Sequence, residues 1–306
     1  MNDRSLRRLL VRIGRHWSWA RSQGVSRLIE EDELNPFVRV PNTIRKWQWR
    51  RASGRPPGLA VPVFLVGLQR SGTNMLTRGF AASPAFEVHN ENDRRLFSNF
   101  RLRADDAVRA VIEASRHSHV LFKPLCDSHR TPELLQLCDR GRAIWAYRSV
   151  DGRTRSALAK FGDANHRVLR SIAAGGSSDA WQAQRISAEN LELIRSFDYG
   201  RLSPASASAL FWYVRNSLYF DLGLDARDDV ILSSYDDLIS DPERSVKTLC
   251  AFLDFPWDAR LASHVDSRSA NPVRLDLDPT VRRHCDELRE RLDDAARGAA
   301  RRFEAP

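Results

Sequence analysis

Residues 61–68 form a nearly unbroken apolar run, which enters a turn bounded by Gly67 and Gly72 and then a helical pattern over 75–82. A short run with no polar face reads as a parallel strand buried on both sides. Two glycines separated by four residues let the backbone fold tightly at the strand's end. The helix that follows turns its unsatisfied first N–H groups toward an anion. Three further short apolar runs, 120–125, 143–147 and 229–234, alternate with helical patterns over 105–115, 152–161, 180–195 and 205–222. Ser240-Asp241-Pro242-Glu243 reads as a capping box opening a helix with Val246, Leu249, Cys250 and Leu253 on its inner side. Asp278-Pro279 opens a last helix with Val281, Cys285, Leu288 and Leu292 on one face. Strands alternating with helices predict a three-layer α/β/α fold around a central parallel sheet.

The turn departs from a nucleotide P-loop in an informative way. Where G-x-x-x-x-G-K-[ST] places lysine, this chain has Thr73, and its cation sits inside the loop at Arg70. That counts against a kinase or ATPase, which sets a lysine on the β/γ-phosphates and a hydroxyl on Mg²⁺. A phosphotransferase with a degenerate loop still stands as an alternative, and it requires an acidic metal ligand after a second strand, where Asp127 is near.

Arg70-Ser71-Gly72-Thr73-Asn74 resembles the phosphosulfate loop of the sulfotransferases that use 3′-phosphoadenosine-5′-phosphosulfate (PAPS). Two more pieces follow in the family's order. Arg148 ends the 143–147 run and Ser156 stands eight residues on, the spacing with which the family holds the 3′-phosphate. Ser234-Tyr235-Asp236-Asp237-Leu238, then Asp241-Pro242 and Phe252-Leu253, matches a further family pattern whose tyrosine lies near the adenine. The resemblance spans about 61–291. It implies a P-loop NTPase-like sulfotransferase fold, PAPS as donor, the desulfated nucleotide PAP as product, a hydroxyl acceptor (glycan, lipid or small molecule) and no metal. By the same resemblance Arg70 stabilises the leaving oxygen, and Ser71, Gly72, Thr73, Asn74, Arg148, Ser156 and Tyr235 bind the donor. Arg268, in Ser267-Arg268-Ser269, matches a loop that closes over the 3′-phosphate.

An attacking hydroxyl needs a base. Glu91, in Val88-His89-Asn90-Glu91-Asn92-Asp93, is the first candidate, unless it only pairs with Arg94 or Arg95. Lys123 fits the lysine of the family's K-T-H element, but Leu125 takes the histidine position, so His129 is the second candidate base and His89 a weaker one. Trp181, Phe211, Trp212 and Tyr213 fit either an acceptor wall or core packing.

Residues 1–58 read as a separate basic extension and linker, with 59–306 as the main domain. Leu6, Leu9, Leu10, Ile13 and Trp17 recur at helical spacing among arginines. Residues 1–55 hold thirteen basic side chains against five acids, so +8 of the overall +9 lies there and the body is nearly neutral. The body therefore carries no footprint for nucleic acid. Residues 1–51 fit either peripheral contact with an anionic membrane or packing on the main domain, and a membrane-surface adaptor is the non-enzymatic alternative. Cys126, Cys138, Cys250 and Cys285 are scattered without a C-x-x-C pair, fitting neither zinc nor a disulfide framework. With no leader-like or ~20-residue apolar segment, a cytoplasmic protein is expected.

Overall fold

The computed structural model describes residues 36–176, 179–267 and 273–303. Contacts divide the chain into one unit ending at Gly54 and another beginning at Arg55. In the first, α1 (Pro36–Ser53) carries Arg39, Arg45, Lys46, Arg50 and Arg51 and no acidic residue. The Arg51 guanidinium stacks 4.2 Å from the Trp47 ring centre. The predicted helix around Leu6 to Trp17 lies outside the described residues. No described helix is long and apolar enough to cross a membrane.

The second unit holds strands β1 (Val61–Gly67), β2 (Phe86–His89), β3 (Phe97–Ser98), β4 (Arg101–Leu102), β5 (His119–Phe122), β6 (Arg142–Tyr147) and β7 (Val230–Ser234). Five pair in parallel in the order β2-β5-β1-β6-β7, and β3 with β4 makes a small antiparallel hairpin. The helices are α2 (Thr73–Ala82), α3 (Asp105–Ala114), α4 (Thr131–Leu135), α5 (Val150–Phe161), α6 (Ala164–Ala173), α7 (Ala188–Arg195), α8 (Pro204–Asp221), α9 (Tyr235–Ser240), α10 (Pro242–Phe252) and α11 (Pro279–Phe303).

Alternation along β1 builds the two faces of the core. Phe64 and Val66 face one side with Phe122 and Trp145, under α3, α8 and α11. Val63 and Leu65 face the other with Leu121 and Ile144, under α2 and α10. This is the predicted three-layer arrangement, and the strand with both faces buried lies at its centre.

Three local expectations are corrected. β2 lies outside the apolar runs: Phe-Glu-Val-His alternates instead of running apolar, as suits an edge strand paired only to β5. The helical pattern over 180–195 breaks, because Arg185 adopts φ 58° and α7 starts only at Ala188, capped by Ser187 Oγ accepting from Asn190 N–H. The capping box is not closed from Ser240, which ends α9. Asp241 is the cap, accepting from Arg244 N–H at 3.0 Å, while Glu243 pairs with Lys247.

Candidate functional site

Because all five strands run the same way, their carboxyl ends bring five chain segments to one edge of the sheet, where parallel α/β proteins bind ligands. After β1 comes the glycine loop, after β2 Glu91, after β5 Lys123, after β6 Arg148 and after β7 Tyr235. Strands β5 and β6 flank β1 on opposite sides, so the loop sits where the chain's connections diverge.

The loop is braced from below. Ser128, in the 3₁₀ segment Leu125–Arg130, accepts from Gly67 N–H at 2.9 Å and lies equally close to the Gly67 carbonyl. Arg70 adopts φ 73°, a left-handed conformation that costs a non-glycine residue energy. Its Nε donates to Ser156 Oγ at 2.9 Å. Gly72, at φ 82°, begins α2, and a Cβ there would lie 2.4 Å from Tyr235 Cδ2. Glycine is therefore required both by the turn and by the tyrosine ring against it. Ser71 is buried, and its hydroxyl has no hydrogen-bond partner among the described residues. Thr73 and Asn74 supply first-turn N–H groups that a helix cannot satisfy internally.

Arg148 is fixed through its ring stack and its backbone. Its guanidinium stacks 4.1 Å from the Tyr235 ring centre, and its carbonyl accepts from Trp212 Nε1 at 2.9 Å. The next N–H, of Ser149, donates to Asp236 Oδ2 at 2.8 Å, and Asp236 in turn meets Arg289 of α11 at 3.1 Å. The side chain passes over Gly152, where a Cβ would come within 2.8 Å of Arg148 Nε. Gly152 and Ser156 are one turn apart on the same face of α5. Tyr235 with Arg148 and Ser156 with Arg70 are two contacting pairs set one turn apart along α5, which line up an aromatic ring, two cations and a hydroxyl in a strip. Ser156 meets the glycine loop directly through Arg70, a contact its spacing from Arg148 did not foretell.

On the other side of the loop, Lys123 Nζ donates to Asn74 Oδ1 at 2.7 Å and lies 3.5 Å from Glu91 Oε2. Asn74 therefore spends its side chain on positioning Lys123. Burial pushes the Glu91 carboxyl above the usual carboxylate range, against the opposing charge of Lys123. Glu91 does not take Arg94 or Arg95 as its ion-pair partner: Arg95 pairs with Asp93, which also accepts from His89 Nδ1 at 2.8 Å. His89 is buried between Glu87 and Asp93. Asp127, the acid that a Mg²⁺-dependent reading needs, has one oxygen on Arg101 Nε (3.0 Å) and the other on Leu102 N–H (2.7 Å).

His129 is buried, and burial together with Arg215, Arg101, Arg130 and Arg185 holds its pKa down to about 3. It is neutral at pH 7 and a feeble proton acceptor. The unfolded chain binds a proton here near pH 6.5 that the folded chain refuses, so stability falls as pH drops below that value. Denaturant unfolding at pH 7.5 and 5.5 should show the wild type losing about 1.4 kcal/mol more than His129→Leu. Equal losses would contradict this environment.

Sequence reasoning missed Arg153. It is fully buried, and its Nε donates to the Gln69 carbonyl at 3.3 Å while Nη1 donates to the Ser208 carbonyl and hydroxyl, both at 3.2 Å. Burial and the charge of Arg70 pull its pKa down to about 9. An arginine four residues into a helix carries no signal of its own. Only its position below Gln69 of the loop shows its role. Ser267 Oγ donates to the Ser240 carbonyl at 3.0 Å, whereas Arg268 lies outside the described residues.

No protein-family model and no curated protein matches the chain. In backbone path it is similar to a sulfotransferase from Alicyclobacillus acidocaldarius (14% identity, 79% of this chain and 96% of that one, TM-score 0.43). It is also similar to sulfotransferase STF9 from Mycobacterium avium (12%, 77% of each chain, TM-score 0.43). A third similar structure is the sulfotransferase domain of the Synechococcus PCC 7002 olefin synthase (16%, 81% and 96%, TM-score 0.35).

Proposed function

We propose that the chain is a sulfotransferase that takes a sulfuryl group from PAPS, delivers it to a hydroxyl acceptor and releases PAP. The observation that carries this reading is the strip running from Tyr235 through Arg148 and Ser156 to Arg70. It offers an aromatic face and two separate cation sites at one sheet edge, the pattern a bisphosphorylated nucleoside requires. The buried Ser71 hydroxyl, with no hydrogen-bond partner among the described residues, and the first N–H groups of α2 fit an anion at the loop.

In this reading the reaction exchanges one S–O bond for another: the bond to the donor phosphate breaks as the bond to the acceptor oxygen forms. Arg70 and the N–H groups of Gly72 and Thr73 hold the negative charge that develops on the leaving oxygen. Arg148 and Ser156 hold the second phosphate, and Tyr235 lies against the base. Glu91 takes the acceptor's proton, because its carboxyl is raised toward neutrality and so binds a proton more readily than an exposed carboxylate. Lys123 links Glu91 to Asn74 and fixes its distance from the loop. No metal is invoked, since Arg70 and the start of α2 supply the positive charge.

Arg148→Ala separates the two phosphate sites. It should weaken PAP by roughly 10- to 100-fold, the worth of a charge-assisted contact, and leave 5′-AMP nearly unchanged. Calorimetric titration of both nucleotides measures this, and equal losses would remove the 3′-phosphate assignment.

A further inference from the structure

Ser208, Phe211 and Arg215 are three and four residues apart and share one face of α8. At its start Ser208 receives Arg153, and Phe211 lies 5.5 Å from that guanidinium. Trp181 meets Phe211 edge-on at 6.1 Å and covers Arg215 at 5.3 Å. Arg215 is 3% exposed. Its Nη1 donates to the carbonyls of Gln184 (3.0 Å) and Gln182 (3.4 Å). Its Nη2 is buried with no hydrogen-bond partner among the described residues.

Three neighbouring arginines are paired, Arg101 with Asp127, Arg130 with Asp105 and Arg185 with Glu133, whereas Arg153 is bonded to the Gln69 carbonyl and to Ser208. Arg215 has no carboxylate partner among the described residues. Burying a guanidinium without a counter-ion costs several kcal/mol, and Arg215, unlike Arg153, also keeps a buried nitrogen with no hydrogen-bond partner among the described residues, which leaves it free to bind an anion. A second orphan lies beside it. His129 Nδ1 is buried with no hydrogen-bond partner among the described residues. Its 3₁₀ segment packs against Trp181–Ala183, where Trp181 covers Arg215, and burial first and then the Arg215 charge keep the ring neutral. Cys126, on the same 3₁₀ segment as His129, accepts from Gln69 Nε2 of the glycine loop at 3.5 Å and so ties this pair to the loop.

We propose that Arg215 and His129 form an anion subsite for the acceptor, which carries a carboxylate beside an apolar body as well as the hydroxyl to be sulfated. Arg215 Nη2 donates to the carboxylate, His129 donates from Nδ1 in that tautomer, and Trp181 with Phe211 walls the apolar part. The role as acceptor subsite rests on the sulfotransfer reading.

Thermal unfolding with sodium benzoate as probe and benzamide as its neutral counterpart, each with and without saturating PAP, tests this. Benzoate should raise the wild-type Tm by ~2 °C or more and benzamide should not. Arg215→Met should melt no lower than wild type without ligand and ignore benzoate, while Arg215→Lys keeps part of the response. Equal shifts by both probes, no shift by benzoate while PAP still stabilises, a benzoate response retained in Arg215→Met, or an Arg215→Met protein several degrees less stable would each overturn the subsite. Absence of a PAP shift overturns the sulfotransfer reading, and with it the acceptor role, whatever benzoate does.

Discussion

Arg70→Gly is expected to lower the turnover of sulfuryl transfer by roughly 10²- to 10³-fold without lowering the melting temperature. The two halves of this result have different origins. In the proposed reaction the substitution removes the cation that stabilises the leaving oxygen, a loss of about 3–4 kcal/mol of transition-state stabilisation. Structurally, Arg70 holds φ 73°, and glycine relieves roughly 1–2 kcal/mol of strain there. Against that gain stand the lost hydrogen bond to Ser156, about 1 kcal/mol, and the greater freedom of glycine in the unfolded chain, roughly 0.5–1 kcal/mol. The stability terms nearly cancel, whereas the catalytic term has nothing opposing it. A single-turnover assay with PAPS beside a melting curve reads both. A variant that loses several degrees together with its activity would show that Arg70 serves the fold and not the chemistry.

Glu91→Gln should lower kcat by about 10²- to 10⁴-fold while leaving PAP affinity intact. Glutamine keeps the shape and still accepts from Lys123, but it cannot take a proton. The pH profile gives the more specific signature. A base must be ionised to act, and burial raises Glu91 above the usual carboxylate range, so wild-type activity falls as pH drops through that raised value. Lys123 opposes the rise at 3.5 Å, so Lys123→Met should move the acid limb to higher pH. Movement to lower pH, or an unchanged limb in Glu91→Gln, would exclude Glu91 as the base.

The loop, the alternation of layers and the order of Arg70, Arg148 and Tyr235 were legible because each rests on local chemistry. A strand buried on both faces must be apolar throughout, and a loop at φ 82° against a tyrosine must carry glycine. What stayed hidden depends on distant partners. β2 is an edge strand whose Glu87 and His89 break the apolar run. The Arg70–Ser156 contact spans 86 residues, and Arg153 shows its place only once α5 lies against Gln69 and Ser208. Choosing between Glu91 and His129 likewise required their surroundings. One is a partly buried carboxylate beside Lys123, the other a buried ring whose basicity is suppressed by burial and then by surrounding arginines.

The most direct test of the central claim is thermal unfolding with saturating PAP, compared with ATP plus Mg²⁺ and with 5′-AMP. At about 100 times its dissociation constant a ligand adds roughly 2.7 kcal/mol, a shift of several degrees for a chain of this size. The account predicts that PAP stabilises the protein strongly, 5′-AMP weakly and ATP with Mg²⁺ not at all. Stabilisation by ATP with Mg²⁺ and none by PAP would contradict it and assign the loop to phosphoryl transfer.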